Sequence, residues 1–162
     1  MQEHLIIDGN NTLHAIPELS RELIVDRNQA RDSLLRMLEP LTNTGIRLTV
    51  VFDGRGGRGS IQKFGSSNAF DVVYSSSQEG ADGVIERMTM ASKQPAQLCV
   101  VTNDNLIRNC AYSCGASAMR VDQLTKKLDY SIDQVTRQLD QIRGKKNDWK
   151  EPFHNKLDIP EF

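Results

Sequence analysis

The sequence predicts an α/β domain built on a mostly parallel, five-stranded sheet. Short apolar runs bounded by turn residues alternate with stretches of helical periodicity along the chain. Strands that alternate with helices wind into a parallel sheet through right-handed crossovers. Runs also end on a carboxylate again and again, at Asp8, Asp53 and Asp104. In an open parallel sheet those ends share one edge, the edge where such folds bind ligands.

The first strand is His4-Leu5-Ile6-Ile7-Asp8, followed at once by Gly9, Asn10 and Asn11. Thr12 to Ile16 reads as the start of a helix. Residues 26–41 form a second helix, with Ala30, Leu34, Leu35, Leu38 and Leu41 on one face and Asp26 or Asn28 as its cap. Ile46 to Phe52 is the second strand and runs into Asp53 and Gly54. The loop Arg55-Gly56-Gly57-Arg58-Gly59-Ser60 is basic and flexible, with Lys63 just beyond it. Glycines allow close backbone approach, and arginines fork onto phosphate. Arg55, Arg58 and Lys63 are therefore candidate phosphate contacts, although a solvated hairpin with incidental charge fits the same residues.

Phe70 to Tyr74 is the third strand. The helix of residues 81–91 places Ala81, Val84, Ile85 and Met88 on one face, with Asp82 in its first turn and Glu86 one turn on. The fourth strand, residues 97–102, leads into Asn103 and Asp104. A helix over 106–112, a stop at Gly115 and a short fifth strand over 117–121 follow. The last helix covers 122–143, and its stripe of Leu128, Ile132, Val135, Leu139 and Ile142 is expected to pack on the sheet. The domain is set at 1–144. Residues 145–162, with Trp149, Pro152, Phe153, Pro160 and Phe162, read as an extended tail laid on the domain or as a partly ordered arm.

Composition narrows the function. With 162 residues and a formal net charge of −1, any nucleic-acid contact has to come from a local patch. No apolar run reaches the roughly 20 residues of a membrane span. With no signal-peptide pattern, a cytoplasmic protein without membrane partners is expected. Cys99 lies in an apolar run. Cys110 and Cys114 could form half of a zinc site, but no second pair or nearby His completes it. His4, His14 and His154 are scattered, so no Ser-His-Asp or Cys-His arrangement competes.

The carboxylates carry the chemistry. Asp8, Asp53 and Asp104 come from strand ends, and Asp82 comes from a helix whose start faces the same edge. Like charges gathered there repel, and a divalent cation relieves them. Oxygen ligands suit Mg²⁺ or Mn²⁺, with Asn10 and Asn103 as neutral supporting groups. Each Asp taken singly could equally cap its turn or helix. A haloacid-dehalogenase-type phosphatase needs an Asp-x-Asp after the first strand, and here the third position is Asn10.

Asp8-Gly-Asn-Asn, Val-Val-Phe-Asp53, Glu79-Gly-Ala-Asp82-Gly-Val-Ile-Glu86-Arg and Val-Val-Thr-Asn-Asp104 together resemble the YacP-like NYN domain family of PIN-like bacterial endoribonucleases, one branch of which is ribosome-associated. The resemblance implies a PIN-like (Rossmann-like) three-layer fold with sheet order 3-2-1-4-5. It implies Asp8, Asp82 and Asp104 as catalytic metal-binding acids, Asp53 as a further acid, and Glu86 in support. The expected activity is metal-dependent cleavage of single-stranded or ribosome-associated RNA, against the alternative of an RNA-binding module that cleaves poorly. The chain departs from the family in having Asn10 where an aromatic is common, Thr-Asn-Asp in place of Thr-Ser-Asp, and Gly83 after Asp82.

Overall fold

The computed structural model describes residues 2–54 and 56–157, with 145–157 as backbone alone. β1 (His4–Asp8), β2 (Arg47–Phe52), β3 (Ser60–Lys63), β4 (Phe70–Tyr74), β5 (Leu98–Val101) and β6 (Ser117–Met119) form one sheet in the order β3-β4-β2-β1-β5-β6. Every neighbouring pair is parallel except β3 with β4. The five expected strands therefore stand in the order expected, and β3 is the difference. It grows out of the glycine-rich loop as the first arm of a hairpin with β4, short and fully exposed. A brief, polar edge strand of this kind leaves little alternation to read.

The helices are α1 (Gly9–Ala15), α2 (Pro17–Val25), α3 (Arg27–Leu38), α4 (Gly80–Ala91), α5 (Asn105–Ser113) and α6 (Val121–Leu157). The sequence pattern does not predict α2. It starts on Pro17, favoured at a first helical position, yet buries only Leu19 fully, so its apolar signal is thin. α3 ends in a 3₁₀ turn over Glu39–Thr44, which Gly45 closes with a left-handed backbone at φ 84°.

Alternation along the strands splits the core in two. Leu5 and Ile7 of β1 join Leu13, Leu34, Leu38, Val50 and Phe52 on one face. Ile6 joins Val51, Val84, Ile85, Val100 and Ile107 on the other, against α4 and α5. Asp8 follows Ile6 in this period of two, so the sheet presents it on the α4 and α5 side. Asp53 and Thr102 follow Val51 and Val100 in the same way.

The chain divides into two compact units, Met1–Leu128 and Asp129–Phe162. In the first, Val121, Leu124 and Leu128 of α6 are buried. Of the expected stripe, Leu128 is thus buried in the first unit, whereas Ile132, Val135, Leu139 and Ile142 of the second are 41–52% exposed. The backbone is helical through Leu157, where an extended tail after Gly144 is expected from the change in texture. Four lysines and Glu151 favour a helix across that stretch, and Pro152 in its interior opposes one, which is why the sequence there does not read as helix. The side chains of Trp149 and Phe153 lie outside the described residues, as do residues 158–162. Among the described residues no helix is long and apolar enough to cross a membrane.

Candidate active site

Asp8 ends the central strand, between β2 and β5. Gly9 follows because a Cβ there would overlap the Phe52 ring and the Val51 carbonyl. The chain can thus turn directly from β1 into α1, with Asp8 as its N-cap. Asp8 is 5% exposed. One carboxylate oxygen accepts from the Asn11 amide at 3.3 Å, and the other accepts from the Thr102 hydroxyl at 3.2 Å. Burial, reinforced by the charges of Asp82 and Asp53 and opposed by the two hydrogen bonds, leaves this carboxyl pushed up to about 6.

Asp53 is exposed just past β2. Its Oδ1 accepts from the Ala81 amide at 2.7 Å, and its Oδ2 accepts from the Asn10 side-chain amide. It therefore ties the start of α4 to the start of α1. Gly54 is required beside it, since a Cβ would run into the Ser75 carbonyl oxygen. Asp82 is exposed in the first turn of α4. Its carboxyl is raised by partial burial first, then by the charges of Asp104, Asp53 and Glu86. Asp104 caps α5, accepting from the Leu106 amide at 2.9 Å, and its own amide donates to the Thr102 hydroxyl oxygen at 3.1 Å.

The fold thus brings Asp8, Asp53, Asp82 and Asp104 into one electrostatic neighbourhood, with Glu86 one turn along α4. Each of Asp8, Asp53 and Asp104 also holds the start of a helix, so the capping role and the shared-site role coincide. Among the described ion pairs none involves any of the four.

The two supporting asparagines act on the frame. Asn103 donates its backbone amide to the Asn11 side-chain oxygen at 2.8 Å and accepts from the Val121 amide at 2.9 Å. It joins α1, the end of β5 and the start of α6. Asn10 donates to Asp53, so it serves as no acid or base, which removes the phosphatase alternative's second carboxylate in structure as in sequence.

The cations separate. Arg58 lies exposed in the loop before β3, and Arg55 lies outside the described residues. Lys63 is not at the site. The hairpin carries it to the amino-terminal end of β4, where it pairs with Asp71 at 2.6 Å beside Arg47. The correction follows from β3, because four residues of antiparallel strand lead away from the carboxyl edge.

Three further groups frame the site without a clear signal in the sequence. Arg31 of α3 donates to the Asp53 carbonyl at 3.1 Å and lies over the Phe52 and Tyr74 rings, 5.1 and 5.6 Å from their centroids. Thr102 bridges Asp8 and Asp104. Arg108 of α5 donates to the Thr102 carbonyl at 3.3 Å and to the Asn105 side chain. Thr102 does stand within Val-Val-Thr-Asn-Asp104, but Arg31 and Arg108 carry no signal beyond charge on a helix.

The donor set here fits a divalent ion. It is all oxygen, it repels itself, and one member is buried without a cation. Among the described residues no three acidic, His or Cys side chains stand close enough to grip an ion together. A hydrated Mg²⁺ needs only one or two direct carboxylates, keeping its waters between itself and the others. The three cysteines are free, and the zinc half-site gains no further ligands among the described residues.

The site is thus a parallel sheet whose central strands deliver acids to one edge, with another acid on the flanking helix. The sequence profile of the YacP-like NYN domain family matches residues 5–159, and the chain belongs to that family. It is similar to the crystal structure of Rae1 (YacP) from Bacillus subtilis, with TM-score 0.71 and 24% identity, covering 97% of this chain and 90% of that one. A mutant of the same protein gives TM-score 0.73 at 23% identity, covering 88% and 85%. At such identity the likeness shows the fold. No curated protein matches.

Proposed function

We propose that this chain is a metal-dependent endoribonuclease that hydrolyses phosphodiester bonds in single-stranded RNA, including RNA presented by a ribosome. One observation carries the reading: a buried carboxylate at the sheet's switch point, Asp8, faces other acids instead of a cation. Asp8, Asp82 and Asp104 would hold Mg²⁺ or Mn²⁺, with Glu86 adding negative charge one turn away. A bound divalent ion supplies an activated water and neutralises charge at the scissile phosphate. Asp53 fixes α4, and hence Asp82, relative to Asp8. Thr102 orients Asp8 and Asp104 together. Arg58, with Arg55, would hold flanking backbone phosphates.

The test is purified protein with single-stranded RNA in Mn²⁺, in Mg²⁺ and in EDTA, beside Asp8→Asn. The expected result is cleavage by the wild type only, and only with metal. Cleavage that survives EDTA or the substitution overturns the metal assignment. The second reading is an RNA-binding module of the same fold that does not cleave. It is favoured by the spread of the acids, no three of which converge directly among the described residues. Metal-independent RNA binding with no cleavage, on free RNA and on purified ribosomes alike, would establish that reading instead.

A further inference from the structure

Beside the carboxylate edge lies a cavity of about 270 Å³, lined by Asn10, Leu13, His14, Leu23, Arg27 and Asp53. The helices α1, α2 and α3 build it. Leu13 is buried and Leu23 half-buried, which makes part of the lining apolar, while His14 and Arg27 are exposed. Among the described ion pairs neither Arg27 nor His14 takes part. The acid of the lining, Asp53, has both oxygens engaged by Ala81 and Asn10. A larger cavity of about 520 Å³ lies along β3 and β4, but its arginine, Arg87, is already paired with Glu79 at 2.9 Å. Among the described residues the smaller one therefore offers a cation with no carboxylate already on it, next to an apolar wall.

We propose that this cavity seats one nucleotide of single-stranded RNA adjacent to the scissile phosphate. The base lies against Leu23, and the Arg27 guanidinium forks onto the nucleotide's phosphate. The volume, at the lower limit of ligand pockets, suits a single nucleotide. The cavity shares Asn10 and Asp53 with the carboxylate edge, so a strand seated here continues onto Asp8. The ligand's identity rests on the nuclease reading; the placement rests on the cavity itself.

The experiment uses the full chain in the Asp8→Asn background with Mg²⁺, where the proposed hydrolysis is blocked and the acidic repulsion is reduced. The probe is a short, fluorescein-labelled single-stranded RNA of mixed sequence, and anisotropy is read across a salt series. Adding Arg27→Ala should raise Kd about tenfold, as removing a charged hydrogen bond does. It should also flatten the log–log salt slope by about 0.7, one phosphate's worth on a single strand. Adding Leu23→Ala should raise Kd about threefold, because less apolar surface covers the base, and leave the slope alone. Arg27→Lys should keep the slope while losing affinity, because the charge remains and the fork does not.

Unchanged Kd and slope in the Arg27→Ala and Leu23→Ala proteins, both still folded by circular dichroism, overturn the proposal. If the wild type nevertheless cleaves RNA with metal, the nuclease reading stands and only the seat is lost. If the wild type neither binds nor cleaves RNA, both fall together.

Discussion

Two aspartates sit in the same sheet at opposite ends, almost equally buried, and meet opposite treatment. Asp71, 7% exposed near the start of β4, is flanked by Lys63 at 2.6 Å and Arg47 at 3.3 Å. Asp8, 5% exposed at the end of β1, is given two hydrogen bonds and acidic neighbours. A buried charge kept for structure is paired, because an unpaired one costs several kcal/mol. A buried charge left without its counter-ion is a place where the protein gives up stability, and such places cluster at functional sites. The difference between the two ends, more than the presence of acids, marks the carboxyl edge as the working one.

The widest separation between the two ends should appear in paired substitutions. Asp8→Asn is expected to lower RNA cleavage by at least about 10²–10³-fold, the scale of removing one essential electrostatic group. Asparagine caps a helix as well as aspartate does, so α1 should survive the change. Asp71→Asn should leave the cleavage rate within about twofold and cost about 1–3 kcal/mol, since two half-exposed cations lose their partner. Single-turnover cleavage and urea unfolding of the same two proteins would check this. Equal effects of the two changes on cleavage would erase the contrast.

Stability against pH should separate the ends next. The Asp8 carboxyl stands at about 6 in the folded protein against 3.8 when unperturbed. Between those values the folded state keeps a proton that the unfolded chain releases, so this group's contribution falls as pH rises from about 4 to 6 and stays low above. At about 1.4 kcal/mol per pH unit, Asp8→Asn should be more stable than the wild type by about 2–3 kcal/mol at pH 7.5 and by little at pH 4. Urea unfolding in EDTA at both values tests this, and added Mn²⁺ should narrow the gap at pH 7.5 only. Cleavage should rise through pH 6, as Asp8 must ionise to hold a cation.

Asp53 lies between the extremes, acidic by position and structural by its bonds. Asp53→Ala removes the acceptors of the Ala81 amide and the Asn10 side chain. It should cost about 1 kcal/mol, as losing a cap does, and reduce cleavage by displacing Asp82. Asp53→Asn keeps an oxygen for Ala81 and should restore most of the stability. If cleavage returns with it, Asp53 acts by positioning. If cleavage stays low while stability returns, its charge is needed at the ion. Unfolding midpoints and cleavage rates of both variants decide between these.

Most of this edge is legible in the sequence, for a physical reason. An apolar run that stops on an acid shows both the strand and the point where it ends, and parallel topology does the rest. Asp8, Asp53 and Asp104 follow from that logic, Asp82 follows from a helix start that faces the same edge, and the order of the five strands follows from the resemblance to the family. The amino edge leaves no such trace. Lys63 follows a glycine-rich basic loop, and only the antiparallel pairing of β3 with β4 reveals that it faces Asp71. Arg27 and Arg31 look like ordinary solvated helix charges, because their relation to Asp53 is fixed by how α3 crosses the sheet. The stripe of α6, buried at Leu128 and exposed from Ile132 on, is legible only in part for a related reason: periodicity shows that a helix has an apolar face, but not what lies opposite it.

Lys63 and Arg58 bound the smallest expected effects, and they read the comparison in its simplest form. They are near in sequence, and the hairpin sends them toward opposite ends of the sheet. Lys63→Ala should cost under about 1 kcal/mol, because the lysine is half exposed and Arg47 remains beside Asp71. It should leave RNA binding and its salt dependence unchanged. Arg58→Ala, with Arg55→Ala, should leave the unfolding midpoint alone and weaken RNA binding, flattening the salt slope by about 0.7 for each phosphate no longer held. The opposite pattern would mean that the RNA path runs over the amino edge, where the cations are. A flat result for both would leave the loop a solvated turn and shift the burden of phosphate recognition to Arg27 and the helices around it.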